Sequence, residues 1–153
     1  MEKPARRGTH AVTAVPVVVD ASIAAAWLLP DECSAAAEDW FTQACADEGR
    51  FWAPALWCWE VGNLLLMAAR RGRIAPEAAE AGLDLLLSTR VAIEDAPTPE
   101  QRRETLRLAR ESGLTYYDAA YLELALRRGA QLASRDRQLV AAARAHSVEC
   151  LEL

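Results

Sequence analysis

Val15-Pro16-Val17-Val18-Val19-Asp20-Ala21-Ser22 is the stretch on which the fold of this chain turns. Residues 15–19 form a β-branched run broken only by Pro16, which suits a strand buried on both faces. The run stops at a carboxylate. Asp20 and Ser22 can both cap the short apolar helix expected over 23–29, which Pro30 terminates.

Outward from this stretch, short apolar runs alternate with helical patterns. Asp31 opens an expected helix to about Ala46, and 51–53 is a short strand. Pro54, in a first helical turn, launches a helix to Arg71 that Gly72 closes. That helix is apolar nearly all round, so other elements must cover it. Pro76 starts a helix to about Ser88, 91–93 is a weak strand, and Pro99 starts a helix ending before Gly113. Thr115 caps a helix to Arg128 that Gly129 ends, 131–133 reads as a strand, Asp136 begins a helix to about Ala145, and 148–151 is a last strand. Strands alternating with helices along the whole chain predict an α/β fold, a mostly parallel sheet with helices on both faces. Residues 1–14 lack periodicity and are expected to form a loose N-terminal tail, with one domain over 15–153.

The 153 residues carry 52% hydrophobic and 25% charged side chains, proportions that argue against intrinsic disorder. Net charge is -5, and the charged tail residues Glu2, Lys3, Arg6 and Arg7 sum to a positive value, so the body is more acidic still. This excludes the electrostatic footprint of a generic DNA binder but not a nucleic-acid substrate handled through metal ions. Cys33, Cys45, Cys58 and Cys150 form no C-x-x-C pair and the histidines are only His10 and His146, so neither a zinc site nor a disulfide framework is expected. The apolar region 51–69 is interrupted by Glu60 and Asn63 and reads as a buried helix, with no membrane association. The basic start followed by 11–19 lacks a signal-peptide cleavage site, so a cytoplasmic, reduced protein is expected.

In a parallel sheet, ligands bind beyond the carboxyl ends of the strands. Asp20 follows the first strand, Asp136 follows the strand at 131–133, Glu60 lies in the second turn of the helix after 51–53, and Asp118 lies in the first turn of its helix. Acids without a nearby histidine form the donor set that Mg²⁺ or Mn²⁺ accepts. Asp20 and Asp136 could equally be helix caps, and Thr115 with Asp118 fits a capping box. Glu60 differs, because Trp57, Trp59, Val61 and Leu64 around it need burial and an uncompensated carboxylate there is costly. Asn63, at i+3, extends the polar stripe. Ser22 and Ser134 can orient their neighbouring acids, and Arg135 and Arg137 could touch phosphates or simply face solvent. No nucleophile elbow, triad histidine or phosphate-cradling glycine loop is present in the sequence.

These motifs resemble those of PIN-domain ribonucleases, in particular the VapC-type toxins of toxin–antitoxin pairs. Val17-Val18-Val19-Asp20-Ala21-Ser22 looks like that family's opening strand and first acid, and Pro54-Ala55-Leu56 with Trp59-Glu60-Val61-Gly62-Asn63 like its second acid and accompanying Asn. Leu114-Thr115-Tyr116-Tyr117-Asp118-Ala119-Ala120-Tyr121-Leu122 is similar to the third-acid motif, and Ala133-Ser134-Arg135-Asp136-Arg137-Gln138-Leu139 to the fourth, with Ser134 where the family often has Thr. Gly62 stands where many members have Ala.

The resemblance implies a three-layer α/β/α domain with a five-stranded sheet, acting as a Mg²⁺- or Mn²⁺-dependent endoribonuclease. Asp20, Glu60, Asp118 and Asp136 would be both the catalytic and the metal-holding residues, with Ser22, Asn63 and Ser134 in support and Arg135 and Arg137 as candidate phosphate contacts. It further implies an RNA substrate and a homodimer, to which the helix over 55–71 and Leu83, Leu85, Leu86 and Leu87 offer apolar surface. A cognate antitoxin is implied as well, its apolar side chains lying near the helices that carry Trp27, Trp40 and Trp57 and a basic residue reaching the acids. A phosphoryl-aspartate receiver would need a lysine late in the sheet, and a haloacid-dehalogenase-type phosphatase a second acid where Ser22 stands. The stronger alternative is a catalytically inactive PIN-like binding module.

Overall fold

The valine run becomes the centre of the sheet. In the computed structural model, which describes residues 14–153, β1 (Val17–Val19) is wholly buried and pairs in parallel with β2 (Phe51–Ala53) on one side and β4 (Gln131–Ala133) on the other. β3 (Ala92–Ile93) and β5 (Cys150–Leu151) complete a five-stranded sheet in the order β3-β2-β1-β4-β5, and all four pairings are parallel. The expected tail falls almost entirely on residues 1–13, outside the described residues.

Asp20 caps α1 (Ala21–Leu28), and Pro30 follows its end. The next helix, α2 (Ala35–Ala46), starts later than the sequence suggested: Ser34 is its cap, while Asp31 lies in the preceding turn and pairs with Arg73. Asp31 is thereby taken from a local cap by a long-range guanidinium. α3 (Leu56–Arg70) also begins after Pro54 rather than on it, with no side-chain cap. Proline does start α4 (Pro76–Leu86) and α5 (Pro99–Ser112), the latter closed by a Thr98–Gln101 capping box. α6 (Tyr116–Arg128) and α7 (Arg137–Ala145) are capped by Thr115 and Asp136. Gly113 and Gly129 end α5 and α6 with φ of 66° and 58°, left-handed turns that a side chain disfavours.

Right-handed crossovers place the helices. The chain steps outward from β1 to β3 through α1–α4 and returns through α5 and α6 to β4, so α1–α4 cover one face and α5–α7 the other. The packing agrees: α1 touches α2 and α3, α3 touches α4, and α6 touches α5 and α7. Trp27 packs edge-on against Phe41 and Phe51 at ring separations of 5.9 and 6.1 Å, and Leu122, Leu132 and Leu139 of α6, β4 and α7 are fully buried. α3 is not covered all round, however. Trp57, Val61 and Leu65 face the core, but Trp59 is 81% exposed and Leu66 is exposed as well. No helix among the described residues is long and apolar enough to cross a membrane.

Candidate metal centre

The sheet order reverses at β1, whose neighbours β2 and β4 lead the chain in opposite directions, and this opens a crevice above the carboxyl ends of β1 and β4. Asp20 sits at its base, 6% exposed. Its Oδ1 accepts from the Ser22 backbone N–H (3.0 Å), the Ser22 hydroxyl (2.5 Å) and the Ile23 N–H (3.3 Å), and its Oδ2 accepts from the Ser134 hydroxyl. The serines also bind each other's loops. Ser22 Oγ accepts from the Arg135 N–H at 2.8 Å and Ser134 Oγ from the Asp136 N–H at 3.0 Å, so residues 114 and 113 positions apart are stitched across the crevice. Burial pushes the Asp20 carboxyl above the ordinary range against these hydrogen bonds.

Glu60 is half-buried on α3, and its Oε2 accepts from the Tyr121 hydroxyl of α6 at 2.6 Å. Its carboxyl is also raised, first by burial and then by repulsion from Asp118 and Asp20, which outweigh the Tyr121 bond. Tyr121, 1% exposed, is held protonated by burial and by the same carboxylates. Asp118 occupies the third position of α6; its N–H donates to Thr115 Oγ1 at 3.0 Å while that hydroxyl donates to Asp118 Oδ2 at 2.8 Å. Only half of the expected capping box forms, because the Asp118 carboxylate takes the Thr115 hydroxyl rather than its backbone N–H.

Asp20 and Asp118 each lie within electrostatic reach of Glu60 and Tyr121, so the three acids are gathered around that hydrogen-bonded pair. Asp136 stands at the rim, exposed, with Oδ1 capping α7 through the Gln138 and Leu139 N–H groups at 2.8 and 2.9 Å, and joins the others through Ser134. Asn63 lies exposed one turn beyond Glu60. Arg135 is exposed and pairs with Glu32 at 2.9 Å, and Arg137 is exposed. Trp27 and Trp57 are core side chains, and Trp40 is half-buried.

Sequence reasoning gave Tyr121 no role. The signal was present: Tyr121 follows Asp118 by three residues, on the same helical face, and a buried tyrosine hydroxyl seeks a partner. The cost assigned to Glu60 is real, and Tyr121 offsets part of it.

Among the described residues, none of the four acids is paired with an arginine, and Glu60 Oε1, Asp118 Oδ1 and Asp136 Oδ2 accept no hydrogen bond. As they stand, no three His, Cys, Asp or Glu side chains of the described residues close into a cage. The donor set nevertheless suits a hard cation, since it offers oxygen ligands only, and Asp20 and Glu60, both raised by burial, gain from a nearby positive charge. Asp20 is the constrained member, both of its oxygens being engaged by serine hydroxyls.

The PIN domain family matches residues 17–145. The chain belongs to the PIN-domain family. Among relatives from Pyrobaculum aerophilum it is similar to "Ribonuclease VapC3", 37% identical over 80% of this chain and 91% of that protein. It is also similar to "Exonuclease VapC9", 42% identical over 54% of this chain, where the match spans 59% of the relative's length. The crystal structure of PAE2754 from the same organism superposes with a TM-score of 0.69 at 31% identity, covering 90% of both chains. As a PIN domain, the chain has the α/β fold and five-stranded parallel sheet that the motifs implied.

Proposed function

We propose that this PIN domain is a Mg²⁺- or Mn²⁺-dependent endoribonuclease and the toxin component of a type II toxin–antitoxin system. The observation that carries the proposal is the gathering of Asp20, Glu60 and Asp118 at the switch point with no arginine paired to them among the described residues. The ribonuclease and exonuclease names of the two relatives, both VapC proteins, support the same direction. Glu60, Asp118 and Asp136 would hold the cation through their unengaged oxygens, and Asp20 would hold it through water or after releasing a serine hydroxyl. A divalent cation bound there supplies Lewis acidity, acidifying water and offsetting charge on the leaving oxygen of a phosphodiester. Tyr121 orients Glu60, Thr115 orients Asp118, and Ser22 and Ser134 fix Asp20. His146, at the end of α7, has its ring hydrogen-bonded to Ser112 at 3.2 Å, and water acidified by a cation would need no histidine as base.

An RNA substrate, a homodimer, a cytoplasmic location and a cognate antitoxin whose cationic side chain enters the crevice belong to the same proposal. The doubly engaged Asp20 is the observation that favours the rival, an inactive PIN-like binding module. Incubation of wild type with total RNA and Mg²⁺ or Mn²⁺ separates the two. Cleavage should be abolished by EDTA and fall about 10²-fold or more in Asp20→Asn, Glu60→Gln, Asp118→Asn and Asp136→Asn, the scale of losing one preorganised charged group. Circular dichroism should stay near wild type. Cleavage by Asp118→Asn at the wild-type rate would remove the assignment.

A further inference from the structure

An acidic protein that acts on RNA must counter phosphate repulsion close to its acids, and several of the described arginines are already held by carboxylates. Arg127 and Arg128 are held by Glu94 and Glu123, Arg107 by Glu104 and Glu111, and Arg73 by Asp31 and Glu32. We propose that the groove along α7 is the track that holds the RNA phosphates flanking the cleaved bond, with Arg137 and Arg144 as its anchors. The inference rests on the nuclease reading above and names where the substrate chain runs.

The groove has a volume of about 360 Å³ and is bordered by Ser134, Arg135, Arg137, Arg144 and Glu152. None of the four acids lines it, and Ser134 is its link to them. Ser134 lines it while donating to Asp20 and accepting from the Asp136 N–H, so crevice and groove share a wall. Arg137 and Arg144 are seven residues apart on one face of α7, which sets them about 10 Å apart along the helix axis, on a line leading away from Asp136. Arg137 pairs with no carboxylate among the described residues. Arg144 pairs with Glu152 at 2.9 Å, but the two side chains are 58% and 75% exposed, and so weakly held a guanidinium is available for exchange onto phosphate. Guanidinium forks match phosphate oxygens bidentately, and such contacts position a strand without reading its sequence. A hollow on α5 with Arg103, Arg107 and Arg110 shares no lining residue with the α7 groove, and none of its lining residues bonds to the four acids.

The test uses the full chain and a short fluorescein-labelled single-stranded RNA, in EDTA so that nothing is cleaved, with anisotropy read over a range of NaCl concentrations. Arg137→Ala with Arg144→Ala should weaken binding about tenfold or more and flatten the slope of log K against log salt by about 1.4, the value for two lost phosphate contacts on a single strand. Manganese affinity by calorimetry should not change, whereas a disturbed fold would alter both. Arg103→Ala with Arg110→Ala should shift RNA binding far less. Wild-type affinity and slope in the α7 pair would overturn the track, as would an equal loss in the α5 pair. Binding of polyglutamate that depends on Arg137 and Arg144 while RNA binding does not would assign the groove to an acidic partner and overturn it too. If arginine-dependent RNA binding is found but no cleavage follows with Mg²⁺ or Mn²⁺, the track stands and the nuclease reading falls.

Discussion

A single hydroxyl connects the two halves of the candidate centre. Tyr121 reaches from α6 to Glu60 on α3, and without it Glu60 Oε2 has no donor. Tyr121→Phe keeps the ring in the core and should weaken Mn²⁺ binding about tenfold, the range for losing an outer partner of a metal ligand. Calorimetric titration giving the wild-type affinity would deny Tyr121 that positioning role. Glu60 also makes a pH prediction. Its carboxyl, like that of Asp20, is raised in the folded chain by burial and returns to its ordinary value on unfolding. Such a group binds its proton more tightly when folded, so its stabilising contribution is complete below the ordinary carboxylate range and is lost as pH rises through the raised value. In the absence of divalent metal, Glu60→Gln should therefore melt above wild type at about pH 7.5, with the difference vanishing towards about pH 4. An equal difference at both pH values, by scanning calorimetry, would contradict it.

At the scale of elements, α3 and α4 contain two glycines with opposite demands. A Cβ at Gly62 would meet nothing within 4 Å, whereas one at Gly82 would come within 3.2 Å of the Leu65 side chain, itself 1% exposed. Gly62 thus only weakens its helix, while Gly82 lets α4 lie close on α3. Gly62→Ala should stabilise by about 0.5–1 kcal/mol, and Gly82→Ala should fail to gain, because overpacking a buried leucine costs about 1–3 kcal/mol. Urea melts of the two variants check the order. Element types were legible in the sequence where a helix carries its own punctuation, as α4, α5 and α6 do: Pro76, Pro99, Thr98, Thr115, Gly113 and Gly129 act through neighbouring backbone. Asp31 misled because its carboxylate answers to Arg73, 42 residues away.

At the scale of the whole molecule, the uncovered surface is apolar where α3, α4 and β3 meet. Leu87, 84% exposed, borders one hollow with exposed Leu83 and Ile93 and with Trp57 and Cys58 of α3, and Trp59 of α3 is 81% exposed. A two-fold pairing would bury these side chains, so light scattering at tens of micromolar is expected to give about twice 16.7 kDa. A mass near 16.7 kDa would remove the dimer.

The sequence alone determined the α/β order, the buried valine strand, and two acids, Asp20 and Asp136, placed where strands end. These follow from residue type and local spacing, since β-branching, caps and breakers act over a few residues. Tertiary structure decided the rest. It set the strand order that brings Asp20 beside Ser134, and it chose Tyr121 as the partner of Glu60. It drew Asp20, Glu60 and Asp118 together while leaving Asp136 at the rim, and it opened the arginine groove from the same edge. Contacts between residues 61 to 114 positions apart leave no local signature, because they depend on where a crossover returns the chain rather than on the residues beside them.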